Sequence, residues 1–253
     1  MNLTGTDLDG LVAVITGAAS GIGEATAGVF RERGARVAVV DRALGTRPRP
    51  NSYVCDVTDA SAVAATVDAI AADLGGIDVL VNNAGIGATG DVESSSDEEF
   101  AHVFDVNVLG MVRMARTAMP YLRKSAHPAI VNVSSIVAIA GVVQRAAYAA
   151  SKGAVSALTL AMAADHVHER IRVNAVLPGT ADTPWVERLL TDTVDAERAA
   201  EQLRRRQPLG RLVSASEVAN AIAYLASPAA ASTTGTLLTV DGGMGGLRLV
   251  PAS

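Results

Sequence analysis

The chain has 253 residues, 49% hydrophobic, 19% charged and only 3% aromatic, with a formal net charge of -5. Such a composition supplies a sizeable core, argues against disorder and leaves no basic footprint for nucleic acid. Cys55 stands alone, which excludes an intrachain disulfide or a cysteine-built metal site, and no uninterrupted run of 18 apolar residues could span a membrane.

Met1–Gly10 has neither a cationic start nor an apolar stretch of the kind a secretion signal needs, so a cytoplasmic location is expected. Leu11–Thr16 is a short, β-branched apolar run that ends in a glycine-rich turn, as a buried strand would. Helical spacing follows from about Gly21 to Arg33 and stops at Gly34, and Arg36–Asp41 reads as a second strand. That strand–helix–strand unit requires a right-handed crossover and a parallel pair.

The rhythm then repeats. Tyr53–Asp56 is read as the third strand, Thr58–Leu74 as a helix and Ile77–Asn82 as the fourth strand. Ser96 and Glu99 form a capping-box pattern that opens a long helix towards Lys124, with Pro120 expected to bend or break it near its end. Ala129–Ser134, Ile171–Leu177 and Leu237–Asp241 complete seven strands, with helices expected at Ala146–His168 and from Ser216–Glu217 to Leu225. Strands alternating with helices from end to end predict one doubly wound α/β domain over residues 1–253, with no second domain. Two stretches break the alternation. The Pro-rich segment between Asp41 and Tyr53 is too short for a crossover helix, and an excursion over 179–210, after the sixth strand, is where a substrate lid is expected.

Thr16–Gly23, with glycines at 17, 21 and 23, sits at the join of the first strand and first helix. Glycines let a backbone turn sharply beneath a pyrophosphate, and the helix N-terminus beyond offers N–H groups and a partial positive charge. The spacing differs from G-x-G-x-x-G, and alone such a turn is as often a plain tight turn. Asp41 adds to it: at the end of the second strand, its carboxylate can accept both hydroxyls of an adenosine ribose. The same charge would repel a 2′-phosphate, so NAD is expected rather than NADP, with Arg42 as the one residue arguing the other way.

Tyr148 and Lys152 stand four residues apart on a helix and so share a face. A free phenol titrates near 10, and a neighbouring ammonium favours its phenolate. Lowering it by about three units takes about 4 kcal/mol, which one Lys and a cationic nicotinamide ring could supply in a shielded site. By itself the pair is more often a solvated helix face. Ser134–Ser135 ends the fifth strand, at the edge where ligands of such sheets bind, and Asn82–Gly85 ends the fourth. Asn107 falls mid-helix, where a local side-chain-to-backbone bond is a fair alternative to a functional role.

Taken together, Thr16–Gly23, Asn82–Gly85, Asn107, Ser135, Tyr148-x-x-x-Lys152 and Pro178–Gly179 resemble the short-chain dehydrogenase/reductase superfamily over nearly the whole chain. The resemblance implies a Rossmann-type fold with a seven-stranded parallel sheet. It implies that Ser135 polarises the substrate oxygen and that Tyr148 is the general base in oxidation and the acid in reduction. Lys152 would lower the phenol's pKa and bind the nicotinamide ribose, and Asn107 would hold a water in a proton relay. Gly17, Ser20, Gly21, Ile22, Gly23 and Asp41 would bind the cofactor, as would Asp56 and Val57 at the adenine. Asn83, Ala84 and Gly85 would border its ribose region, and Pro178, Gly179, Ala181 and Thr183 its carboxamide. A homotetramer is implied as well.

For the small-molecule substrate, Arg145, Arg188 and Arg206 are the residues singled out: cations near a hydride-transfer site suggest a carboxylate held by bidentate forks. Gly141–Arg145, Pro178–Pro184 and Arg206–Arg211 resemble family members acting on 3-hydroxybutyrate-like acids and 2-keto-3-deoxy sugar acids, whereas Trp185 and the tail Gly242–Ser253 depart from them. A charge run such as 204–206 is more commonly a solvated helix face. A dehydrogenase of a neutral sugar or steroid alcohol is the alternative, and an NAD-binding regulator or isomerase the alternative of a different class. No metal is expected: Asp165-His-Val-His168 lacks ligand spacing on one face.

Overall fold

Short runs of Val, Ile, Leu and Ala build the centre of the molecule. In the computed structural model, which describes residues 7–45, 50–184, 186 and 195–249, these runs form seven strands. They are β1 (Val12–Thr16), β2 (Arg36–Asp41), β3 (Ser52–Val54), β4 (Val79–Asn82), β5 (Ala129–Val133), β6 (Arg172–Pro178) and, numbered after two short strands below, β9 (Leu237–Val240). The sheet order is β3-β2-β1-β4-β5-β6-β9, and every neighbouring pair is parallel.

Alternate residues of one strand feed opposite faces. Val12 and Val14 of β1 enter one core with Val63, Ile70 and Met114, while Ala13 and Ile15 enter the other with Phe30 and Ile222. A strand apolar on both sides must be covered on both sides, which is why these runs read as continuous rather than alternating. Helices α1 (Gly21–Glu32) and, after the excursion, α7 (Ala215–Ala226) cover one face. The other is covered by α2 (Ala60–Leu74), α4 (Gly110–Leu122) and α5 (Ala146–His166). The strand order reverses between β1 and β4, so the crevice beyond their carboxyl ends is the topological switch point where such sheets bind ligands.

The expected elements are present, with instructive shifts. The third strand starts one residue earlier and ends at Val54, leaving Asp56 in the following turn. The long helix opens at Ser96, whose side chain accepts from the Glu99 N–H, but it is α3 (Asp97–Phe104), a π-helical turn (Asp105–Leu109) and α4 rather than one regular helix. Pro120 does not break it, because Pro120 sits in the last turn and α4 ends two residues on, at Leu122. The last long helix starts at Ala215, not at Ser216: Ser214 is its cap, in a reciprocal capping box with Glu217. Two strands of two residues, β7 (Ala181–Asp182) and β8 (Val213–Ser214), escape any sequence pattern and tie together the two ends of the excursion. Between them lies α6 (Ala196–Arg205); Trp185 and Arg188 lie outside the described residues. No helix among the described residues is long and apolar enough to cross a membrane.

Candidate active site

A cavity of about 730 Å³ runs along the carboxyl ends of the strands, from Asp41, Arg42 and Asp56 at one end to Tyr148, Arg145 and Arg206 at the other. Its wall includes Ser20, Ile22, Ala84 and Gly85. Gly17 and Gly21 both hold positive φ, at 63° and 60°. A β-carbon on Gly23 would collide with the Gly17 carbonyl and the Asn83 amide, so only glycine lets α1 approach β1 this closely. Ser20 caps α1 without a side-chain bond, which leaves the helix N-terminus to an anion in the cavity. Thr183 leans over the same point, its methyl 3.6 Å from where a Gly21 β-carbon would lie.

Asn83 acts on the glycine turn itself. Its amide donates to the carbonyls of Thr16 (2.9 Å) and Gly17 (3.0 Å), bracing the glycine turn from behind. Asp41 accepts from the Ala19 N–H (3.0 Å) and the Ala43 N–H (3.2 Å), so its carboxylate is fixed against that turn. Asp56 accepts from the Thr58 N–H and hydroxyl, which hold its carboxyl below the usual range, with smaller help from the charges of Arg42 and His102. This end fits a dinucleotide: a bend that only glycine can make, an anion-receptive helix end and an oriented carboxylate one strand away.

At the other end, the π-helical turn carries Asn107 inward, 3% exposed. Its bonds are long-range rather than local. Nδ2 donates to the Ile86 carbonyl (2.9 Å) and the Ser151 hydroxyl (3.0 Å), and Oδ1 accepts from the Ile86 N–H (2.8 Å). A Gly85 β-carbon would lie 3.0 Å from Asn107 Oδ1 and 3.4 Å from Lys152 Nζ, so Gly85 lets these two groups crowd the same corner. Ser134 and Ser135 part company. Ser134 turns back to the Lys152 carbonyl and Ser156, whereas Ser135 lies on the cavity wall with Tyr148.

Burial pushes the Tyr148 phenol up, against the weaker opposing effects of the Ser135 hydroxyl and the Arg145 charge. Lys152 Nζ lies 5.8 Å from the phenol ring centroid and donates instead to the Val133 carbonyl (2.9 Å). Burial lowers its own pKa to about 8. The lysine therefore does not by itself make a phenolate. Because the ammonium is more acidic folded than unfolded, the unfolded chain binds more protons between pH 8 and 10.5, and stability rises with pH across that window. Below it the buried charge costs about 3 kcal/mol, partly offset by its bond. Lys152→Met should therefore abolish turnover yet leave the empty enzyme at least as stable at pH 7, without that rise in stability above pH 8. Urea unfolding at pH 7 and pH 10 reads this out.

Arg145 does not sit on a helical turn; it immediately precedes α5. Its guanidinium donates to Thr89 Oγ1 (2.5 Å) and the Ala88 carbonyl (3.2 Å), and its pKa is held down by burial and by the nearby charge of Arg206. Arg204 and Arg205 both pair with Glu201, but among the described residues neither Arg145 nor Arg206 has a carboxylate partner. Pro178, Gly179 and Ala181 line the cavity as expected, with Val57 at the far end.

Residues unforeseen in the sequence complete the site. Ser151 accepts from Asn107 and donates to the Tyr148 carbonyl (2.8 Å), and its place beside Lys152 in the Tyr–Lys motif was the available signal. Ile136, Val142, Leu203 and Met244 form apolar wall. Met244 is aimed by Asp241, whose carboxylate accepts from the N–H groups of Gly243 and Gly245, the departure noted in the tail.

A family model described as enoyl-(acyl carrier protein) reductase matches residues 17–245. A cis-4-hydroxycyclohexanecarboxylate dehydrogenase of Sinomonas cyclohexanicum is 43% identical over 243 residues, 92% of this chain and 95% of that protein. A D-threitol dehydrogenase of Mycolicibacterium smegmatis is 36% identical, over 93% of each. Among solved structures, the ligand-free aldohexose dehydrogenase of Thermoplasma acidophilum superimposes with a TM-score of 0.92 at 37% identity, covering 98% of this chain and 99% of that one.

Proposed function

The chain belongs to the short-chain dehydrogenase/reductase superfamily and is an oxidoreductase of alcohol/ketone pairs, and within that class we propose that it is an NAD-dependent dehydrogenase of a small hydroxy acid. The observation that carries the substrate reading is the pair of cations, Arg145 and Arg206, which have no carboxylate partner among the described residues at the Tyr148 end of the cavity. A half-buried guanidinium whose pKa is held down by burial and by the nearby charge of Arg206 invites an anion beside it. One relative's name specifies a secondary alcohol on a carboxylic acid, which fits the same reading. The apolar wall of Ile136, Val142, Leu203 and Met244 suits a hydrocarbon body more than a polyhydroxylated one.

Bound in the cavity, the nicotinamide would supply the hydride acceptor. The chain's own residues do the rest. Ser135 holds the substrate hydroxyl beside Tyr148, Tyr148 takes its proton, and Lys152 and Asn107 keep the buried phenol and its surroundings in register. Asp41 favours NAD, since a 2′-phosphate would meet a fixed carboxylate. Arg42, the residue that could have answered that phosphate, already feels Asp56. On the same reading residues 179–210 act as a substrate lid of a single domain, and the protein is cytoplasmic and a homotetramer.

NADH formation at 340 nm, with NAD or NADP and paired acid and neutral alcohols, tests this. Turnover of an aliphatic or alicyclic hydroxy acid with NAD is expected. Turnover of neutral alcohols alone, such as the sugars and polyols named for two relatives, would sink the anion site and keep the chemistry; preference for NADP would overturn the reading of Asp41.

A further inference from the structure

We propose that Arg113, on the first turn of α4, is a positioning residue that locks the adenine-end loop to the π-helical turn carrying Asn107, so that the two ends of the cavity are set by one side chain. This rests on the reading above, in which Asn107 serves the reaction.

Three hydrogen bonds make the lock. Arg113 Nη2 donates to Asp105 Oδ1 at 2.7 Å, and Nη1 donates to the Asp105 carbonyl (3.4 Å) and to the Val57 carbonyl (3.3 Å). Asp105 is the first residue of the π-helical turn, and its carbonyl also accepts the Gly110 N–H, the five-residue bond that defines such a turn. A π-helical turn is intrinsically less favourable than α-helix, so something outside the helix must hold it. Here a guanidinium grips both the carbonyl and the side chain of its first residue.

The same Nη1 that bonds the Asp105 carbonyl also reaches Val57, the residue after Asp56 in the loop at the adenine end. That loop is also pressed against the first residue of α4, where the π-helical turn ends: a β-carbon on Gly110 would lie 2.7 Å from Val57 Cγ2, closer than real contacts allow. Asp105 and Val106 line the cavity beside Asp56, and Asn107 follows directly. Three consecutive residues thus pass from cofactor wall to catalytic corner, and Arg113 fixes where that passage starts. The Arg113 side chain is only 20% exposed, so its bonds face little competition from water. A charged residue on the first turn of an amphipathic helix would otherwise be a solvated surface group.

The test is a double-mutant cycle between Arg113→Met and Asn107→Ala in the full chain, read by kcat with NAD and the alcohol turned over best, together with AMP binding by calorimetry. Arg113→Met alone should lower kcat about tenfold and weaken AMP binding several-fold, as expected for the loss of charge-assisted bonds. In the Asn107→Ala background the same change should lower kcat less than about twofold, because the residue it positions is gone. Arg113→Lys, which keeps the Asp105 ion pair but not the forked grip, should recover part of kcat. Asp105→Asn supplies the same readout if Arg113→Met fails to fold. Full multiplicative loss of kcat in the double variant, or unchanged AMP binding in Arg113→Met, overturns the proposal. An Asn107→Ala enzyme with unaltered kcat would instead remove the premise that Asn107 serves the reaction, and the proposal with it.

Discussion

Tyr148→Phe is expected to lower kcat about a thousandfold while leaving the dissociation constant for NAD within about twofold, because positioned general acid–base catalysis contributes about 10²–10⁴. The phenyl ring keeps the packing; only the hydroxyl goes. Nothing else at that point of the cavity can take its place. Ser135 is a poorer base, and Lys152 is turned to the Val133 carbonyl. Steady-state rates beside NAD binding by fluorescence or calorimetry would check this. A residual rate above a tenth of wild type would assign proton transfer elsewhere.

The pH dependence of wild type follows from the same geometry. Burial pushes the phenol up, and the Ser135 hydroxyl and the Arg145 charge oppose it. The form competent for oxidation is the deprotonated one, so kcat/KM for alcohol oxidation should climb towards alkaline pH and that for ketone reduction should fall. Removing the Arg145 charge must then move the oxidation limb further alkaline. Substrate binding and proton transfer are thereby linked through one guanidinium.

The sheet was legible because its strands are buried on both faces. Val12–Ile15 and Val37–Val40 have no solvent side, so they carry no polar residue to blur the pattern. Several candidate site residues stood out as oddities for their elements, an asparagine inside a helix, glycines where a helix begins and serines at a strand's end, while the roles expected of Tyr148 and Lys152 came from the resemblance. What was not legible depends on geometry that spacing does not carry. The π-helical turn at 105–109 changes the phase of the helix, so the partners of Asn107, Ile86 and Ser151, could not be counted off. Arg113 looked like any helix-surface arginine. Ser216–Glu217 looked like a helix start, although the cap three residues before Glu217 is Ser214, placed there by a two-residue strand.

Arg145→Met and Arg206→Met are expected to lower kcat/KM for the hydroxy acid, by about thirtyfold or more at Arg145 and about tenfold at Arg206, since hydrogen bonds to charged groups contribute about 1.5–3 kcal/mol and exposure reduces that. Arg145 takes the larger share because it is half-buried and braced by Thr89 and Ala88, whereas Arg206 is exposed at the end of α6. Bracing also creates the main rival explanation, a loosened 88–90 loop. The two separate on substrate charge: a lost anion contact spares the methyl ester or amide of the same acid, whereas a disordered loop lowers turnover of both. They separate again on additivity. If one carboxylate bridges both guanidiniums, the double variant should lose less than the product of the singles, because the first substitution already frees the anion's grip. In the empty enzyme, Arg206→Met should also relieve the mutual repulsion of the two cations and leave stability unchanged or slightly higher. Equal losses on acid and ester would place the substrate's carboxyl group, or its absence, outside this pair and return the site to a neutral alcohol.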